Sequence, residues 1–131
     1  MTNKELMSLA IQARDNSYCK YSGFAVGAAL LAKSGKVYLG CNVENASFSP
    51  TCCAERTAFF AAIAAGEHEF EAIAVCGGKQ EGNRSTCTPC GVCRQVMSEF
   101  CEKDFPIILE GKNLDITQIT LGELLPFAFD M

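Results

Sequence analysis

Leu6, Leu9, Ala10 and Ala13 recur at helical spacing behind Thr2-Asn3-Lys4-Glu5, whose ends have capping-box spacing, and together they predict a first amphipathic helix. The period then changes. Residues 24–32 read as a strand, Lys33-Ser34-Gly35-Lys36 as a turn, and residues 37–43 as the antiparallel partner. Side chains on a strand alternate, so Val37, Leu39, Cys41 and Val43 face one way and Tyr38, Asn42 and Glu44 the other. Asn42 and Glu44 are therefore expected to project together from the end of this strand. A loop with Ser49-Pro50-Thr51 leads into an alanine-rich helix over about residues 52–65, with Gly66 at the usual terminating position.

The second half repeats the alternation. Residues 70–76 form a short apolar strand, and Gly77-Gly78 opens a polar loop that runs through Thr88. Pro89 starts the next helix, with Cys93, Val96, Met97 and Phe100 as its apolar stripe. Residues 106–109 are a strand, Glu110-Gly111-Lys112-Asn113 a turn, and residues 114–119 a last short strand. Thr120-Leu121-Gly122-Glu123 caps a brief closing helix that Pro126 limits. A hairpin followed by two strand–helix–strand units predicts an α/β fold: a three-layer α/β/α sandwich around a mixed five-stranded sheet. Without repeats or linkers, residues 1–131 are expected to form one domain. The helices that begin near Cys53 and Cys90 each follow a strand and should start at one edge of the sheet, where ligands of open α/β folds collect.

Composition narrows the function. The chain of 131 residues is 49% apolar, with 15 acidic against 11 basic residues. It has no basic stripe for phosphates, so a polynucleotide partner is not expected. No apolar run reaches the roughly 18 residues of a membrane span. The segment Met1-Thr2-Asn3-Lys4-Glu5 lacks a signal-peptide core, which points to a reducing cytoplasm. There the nine cysteines imply metal ligation or buried thiols more than disulfides. Cys19, Cys41, Cys76 and Cys101 read as small buried apolar residues.

Three other cysteines carry the chemistry. Cys53 lies in Cys53-Ala54-Glu55, and Cys90 and Cys93 lie in Pro89-Cys90-Gly91-Val92-Cys93. Helix N-termini offer unpaired N–H groups and partial positive charge, both of which favour thiolates. Three protein ligands leave zinc an open position, the arrangement that activates water. Arg56, three residues after Cys53, should overlie it and donate to ligand sulfur, drawing charge from an electron-rich centre. Glu55 is not needed as a ligand and suits proton transfer, although an acidic residue in a first helical turn is also favoured by the helix dipole. Cys52 could replace Cys53 through its adjacency. Cys87 completes a C-x₂-C-x₂-C run that an iron–sulfur cluster would accept with Cys53 as fourth ligand. His68, the single histidine, falls in polar Gly66-Glu67-His68-Glu69 and reads as a solvated loop residue.

These motifs, with Tyr21-Ser22-Gly23-Phe24-Ala25-Val26-Gly27-Ala28-Ala29-Leu30, Gly40-Cys41-Asn42-Val43-Glu44-Asn45-Ala46, Cys53-Ala54-Glu55-Arg56-Thr57-Ala58, Cys93-Arg94-Gln95 and Glu123-Leu124-Leu125-Pro126, closely resemble the small zinc-dependent cytidine deaminases over nearly the whole chain. The Asn42-Val43-Glu44-Asn45-Ala46 segment points to the free-nucleoside branch. The resemblance implies one Zn²⁺ per subunit on Cys53, Cys90 and Cys93, with Glu55 moving protons as water replaces the amino group at C4 of cytidine or 2′-deoxycytidine. It implies substrate contacts from Phe24, Asn42, Glu44 and Ala54, and from Phe129 of a neighbouring subunit in a homotetramer. It also implies a place in pyrimidine salvage. A related aminopyrimidine nucleoside such as blasticidin S is the alternative substrate, and a non-catalytic zinc or iron–sulfur module the alternative class. Two places depart from the family pattern. Phe48 stands where family members carry tyrosine, and the loop of residues 78–88 is longer and more polar, with Cys87 inside it.

Overall fold

A computed structural model describes all of residues 1–131. Helix α1 (Asn3–Arg14) begins at Thr2, whose hydroxyl takes the Glu5 N–H while the Glu5 carboxylate takes the Thr2 N–H. This is the predicted reciprocal cap. Strands β1 (Phe24–Ala32) and β2 (Val37–Cys41) form the expected hairpin, with Gly27 opposite Cys41. β2 stops two residues earlier than the alternation predicts, and Val43 makes isolated bridges to Tyr18 and Cys52 instead. Helix α2 (Ala54–Ala64) starts two residues later than predicted and ends before Gly66, whose φ of 94° suits a glycine. Strand β3 (Phe70–Lys79) continues through Gly77-Gly78, and the expected loop contains a two-residue strand, β4 (Arg84–Ser85). Helix α3 (Gly91–Phe100) has Cys90 as its N-cap, which leaves Pro89 outside the helix and not at its first position. Strand β5 (Pro106–Glu110), a single 3₁₀ turn (Lys112–Leu114), strand β6 (Ile116–Thr120) and helix α4 (Leu121–Leu124) complete the chain.

The sheet runs β2-β1-β3-β5-β6, with β4 paired to β3 off this path. The five predicted strands are therefore present, and β4 is a sixth. β1 is antiparallel to both β2 and β3, and β3 is parallel to β5. The C-terminal ends of β2, β3 and β5 thus share one edge with the N-terminus of β1.

Helices cover both faces. α1 buries Leu6, Met7 and Ala10 against Ala29, Ala74, Cys76 and Ile108. α2 and α3 bury Ala58, Phe59, Ala62, Cys93 and Met97 against Leu30, Ile73, Val75 and Ile107 on the other face. Phe59 anchors this side, with its ring centroid 5.1 Å from Phe70 and 6.0 Å from Phe100. Two glycines set how near the helices come. A β-carbon at Gly27 would overlap the Ala10 carbonyl and the Arg14 amide, and one at Gly40 would lie 2.5 Å from the Ala58 nitrogen. Such contacts leave no room for a side chain, so both helices lie directly on strand backbone.

Candidate active site

Cys53 and Cys90 are the N-caps of α2 and α3, in extended conformation just ahead of each helix. Cys93 lies one turn into α3 and is fully buried. Their three sulfurs converge within 4.8 Å of one another. Sγ of Cys53 is 3.7 Å from that of Cys90, which is 3.3 Å from that of Cys93. Two sulfurs bonded at about 2.3 Å to one tetrahedral ion are about 3.8 Å apart, so this donor set fits zinc in spacing and in chemistry. Cys52 is not in the cluster, because its backbone is pinned to Val43 in both directions at 2.9 Å. Cys87 is outside it too, which removes the fourth sulfur that an iron–sulfur cluster would need.

The electrostatics favour a thiolate at Cys53. Hydrogen bonding from Cys93 and donation from Arg56 hold the Cys53 thiol well below its ordinary range. The same shared proton and burial hold the Cys93 thiol upward. Arg56 Nη2 donates to Cys53 Sγ at 3.3 Å, as its three-residue spacing predicts. Glu55 is 3% exposed, and burial pushes its carboxyl up to about 7, with the Cys53 thiolate adding in the same direction. A carboxyl so placed can hold or release a proton near neutrality.

Asn42 and Glu44 lie just beyond the end of β2 and both reach toward residues 21–26, but each is already engaged. Asn42 is 8% exposed; its Oδ1 accepts the Val26 N–H at 2.9 Å and its Nδ2 donates to the Phe24 carbonyl at 2.8 Å. Glu44 Oε1 accepts the Tyr21 and Ser22 N–H groups at 2.9 Å, and Oε2 accepts the Ser22 hydroxyl. These bonds hold the Glu44 carboxyl below its usual range, the Ser22 hydroxyl first among them. Phe24 is half-buried at the same edge, and its ring and Cys87 both lie over Gly77. Ala54 is the first residue of α2 and fully buried, so its N–H belongs to the turn that has no partner inside the helix.

Phe129 is not brought to this place. It is exposed and lines a cavity with Ser98, Cys101 and Leu125, at the far end of α3 from Cys90. His68 is exposed at the opposite edge of the sheet, in a cleft with Lys33 and Glu69. Cys19 and Cys76 are buried as expected, whereas Cys41 and Cys101 are only half-buried.

Three supporting residues were not singled out by spacing. Arg94 donates to the Pro89 and Leu124 carbonyls at 2.7 Å and ties the start of α3 to α4. Thr57 Oγ1 accepts the Cys41 N–H at 3.0 Å and fastens α2 to β2. Arg14 donates to the carbonyls of Ala25, Gly78 and Lys79, bridging β1 and β3. The basic residue in the last turn of α1 is the one signal that hinted at such a role.

A family described as the cytidine and deoxycytidylate deaminase zinc-binding region matches residues 1–109. A cytidine deaminase of Halalkalibacterium halodurans is 48% identical over 98% of this chain and 95% of its own length. One from Sporosarcina psychrophila is 45% identical over 98% of this chain and 92% of its own. The crystal structure of cytidine deaminase from Burkholderia pseudomallei superposes with a TM-score of 0.89 at 46% identity, covering 98% of this chain and all of the other. No helix is long and apolar enough to cross a membrane.

Proposed function

The chain belongs to the zinc-binding family of cytidine and deoxycytidylate deaminases, and on that premise we propose that it hydrolyses cytidine and 2′-deoxycytidine to uridine and 2′-deoxyuridine with release of ammonia. The observation that carries this reading is the convergence of three sulfurs from two helix starts beside the buried carboxyl of Glu55. Cys53, Cys90 and Cys93 would hold the ion, and zinc when bound supplies the Lewis acidity that makes water a nucleophile near neutral pH. Glu55 takes a proton from the attacking water, delivers it to N3 of the pyrimidine, and serves again as the C4–N bond breaks and ammonia leaves. Burial raises its hold on a proton, which suits it to carry one between water and the ring. Arg56, by donating to Cys53 sulfur, draws electron density from a thiolate-rich centre and raises its acidity.

Binding follows from what the neighbouring polar groups have left to offer. Asn42 keeps one Nδ2 hydrogen and one Oδ1 lone pair, and Glu44 keeps one lone pair, on Oε2. A ribose 3′-hydroxyl can donate to Glu44 and accept from Asn42. Because both side chains are fixed by backbone, little freedom is lost on binding. The Ala54 N–H faces the substrate at the start of α2, and Phe24 stacks on the pyrimidine. Phe129, remote from its own centre, reaches the pocket of a neighbouring subunit in a homotetramer with one zinc per subunit. Residues 1–131 act as one catalytic domain. A three-thiolate centre persists where thiols stay reduced, which supports the reading of pyrimidine salvage in a reducing cytoplasm.

The deciding experiment follows loss of cytidine absorbance with metal analysis on the same sample. One zinc per chain with turnover of cytidine is expected. Zinc retained without turnover of either nucleoside would overturn the reading, and turnover of blasticidin S alone would redirect it.

A further inference from the structure

The segment that carries Cys90 to the centre is laid across the end of β3 and is held there by few bonds. β4 pairs with β3 at two positions only, Gly77 with Ser85 and Gly78 with Arg84, and so short a hairpin is weak by itself. The backbones meet closely. A β-carbon at Gly78 would lie 2.6 Å from Arg84 Cα and from the Asn83 carbonyl oxygen. One at Gly77 would lie 2.8 Å from Cys87 Sγ and 3.1 Å from Phe24 Cε2. The Cys87 thiol and the Phe24 ring thus share the surface of one glycine.

The chain's one ion pair fastens this strap. Arg84 Nε donates to Glu110 Oε1 at 2.9 Å and Nη2 to Oε2 at 3.3 Å, a two-pronged contact. Glu110 is 3% exposed at the end of β5. Arg84 is half-buried, so desolvation, which falls mainly on Glu110, cancels much of what the pair contributes to stability, and the best-attested use of such a pair is to fix register. What it fixes here is the path of residues 84–90, with Cys87 beside Phe24 over Gly77 on the way and the metal-cluster sulfur of Cys90 at the end.

We propose that the Arg84–Glu110 pair is a positioning device for the active site, setting the seat of Phe24 through Cys87 and the approach of Cys90 to Cys53 and Cys93. Its bearing on Phe24 rests on the deaminase reading above; its bearing on Cys90 does not. The loop that departs from the family pattern is then a specificity element, because its anchor fixes one wall of the pyrimidine pocket.

The test uses the zinc-loaded full chain and two variants. R84M/E110L replaces the pair by apolar side chains and leaves no unpaired charge at buried Glu110, so the fold is kept while the fork is lost. A displacement of about 1 Å can cost as much as ~10²-fold, so we expect KM for cytidine to rise about tenfold with kcat changed about threefold or less. We also expect severalfold faster transfer of zinc to a colorimetric chelator. R84K keeps the charge but not the fork, and should raise KM and hasten zinc transfer by smaller factors. Unchanged KM and zinc transfer in folded R84M/E110L would overturn the proposal, as would a lowered melting temperature alone. Should R84M/E110L not fold, unchanged values in R84K do the same. If the wild type does not turn over cytidine, the deaminase reading fails, and zinc transfer still decides whether the pair positions Cys90.

Discussion

Helix α1 and the helices α2 and α3 meet the same edge of the sheet from opposite faces, and they bring opposite chemistry to it. α1 arrives by its C-terminus, where Arg14 turns its guanidinium onto the carbonyls of Ala25, Gly78 and Lys79. α2 and α3 arrive by their N-termini, where Cys53 and Cys90 stand as caps. A helix C-terminus crowds carbonyl oxygens and takes a cation; an N-terminus presents N–H groups and favours an anion. Both faces have a glycine under a helix, Gly27 beneath α1 and Gly40 beneath α2, so closeness of packing does not distinguish them. Helix direction does. The thiolates gather on the face whose helices begin at this edge.

The sharpest way to break the contrast is to remove a sulfur on the α3 side. Cys90→Ser should lose the metal, and activity with it, as metal analysis and a cytidine assay on one preparation will show; full zinc content would mean another ligand set. Next in size is Glu55→Gln, which should keep zinc and fold while kcat falls by about 10²–10⁴-fold. A variant near full activity would remove Glu55 from the chemistry.

Smaller effects test the packing that the two faces share. Gly27→Ala and Gly40→Ala should each destabilise the fold by about 3 kcal/mol, because the obstructing atoms are helix backbone that cannot turn aside. Denaturant melts of both variants would measure this, and a loss confined to one face would end the equivalence argued above.

A pH series isolates the buried carboxyl in chelator-treated protein. Below the ordinary value of 4.5, folded and unfolded chains both hold the Glu55 proton; between there and about 7 only the folded chain does. Folding stability should therefore fall as pH rises through that window, by up to about 3 kcal/mol, and the slope should be missing from Glu55→Gln. Equal slopes in the two proteins would mean that burial does not perturb this group. Least affected should be Arg14→Ala, losing about 1–2 kcal/mol of stability through its backbone bonds while keeping zinc.

The difference between the readable and unreadable parts of the molecule is one of range. Strand β1 has its predicted bounds, and the caps at Thr2 and Thr120 form as drawn, because alternation and capping act between near neighbours. Cys53, Cys90 and Cys93 were also within reach, since each helix start is a local signal and the strand–helix order places both starts at one edge. Strand β4 was not. Residues 79–88 are polar and show no apolar periodicity, and the two-residue pairing exists through contacts with β3 and with Glu110, which lies 26 positions from Arg84. The commitment of Asn42 to the backbone of β1 was hidden for the same reason. Alternation gives a direction, whereas the bonds depend on where another strand ends.

The sulfur of Cys90 also accepts the N–H of Cys93, at 3.5 Å. One atom thus terminates a helix and belongs to the cluster that would grip the ion. If the ion leaves, that sulfur loses the bond that would fix its position, and the amides of the helix's first turn gain freedom to open. Deuterium uptake at Cys93 and Arg94 would accordingly read out metal loading in the intact protein, with no substrate in the tube.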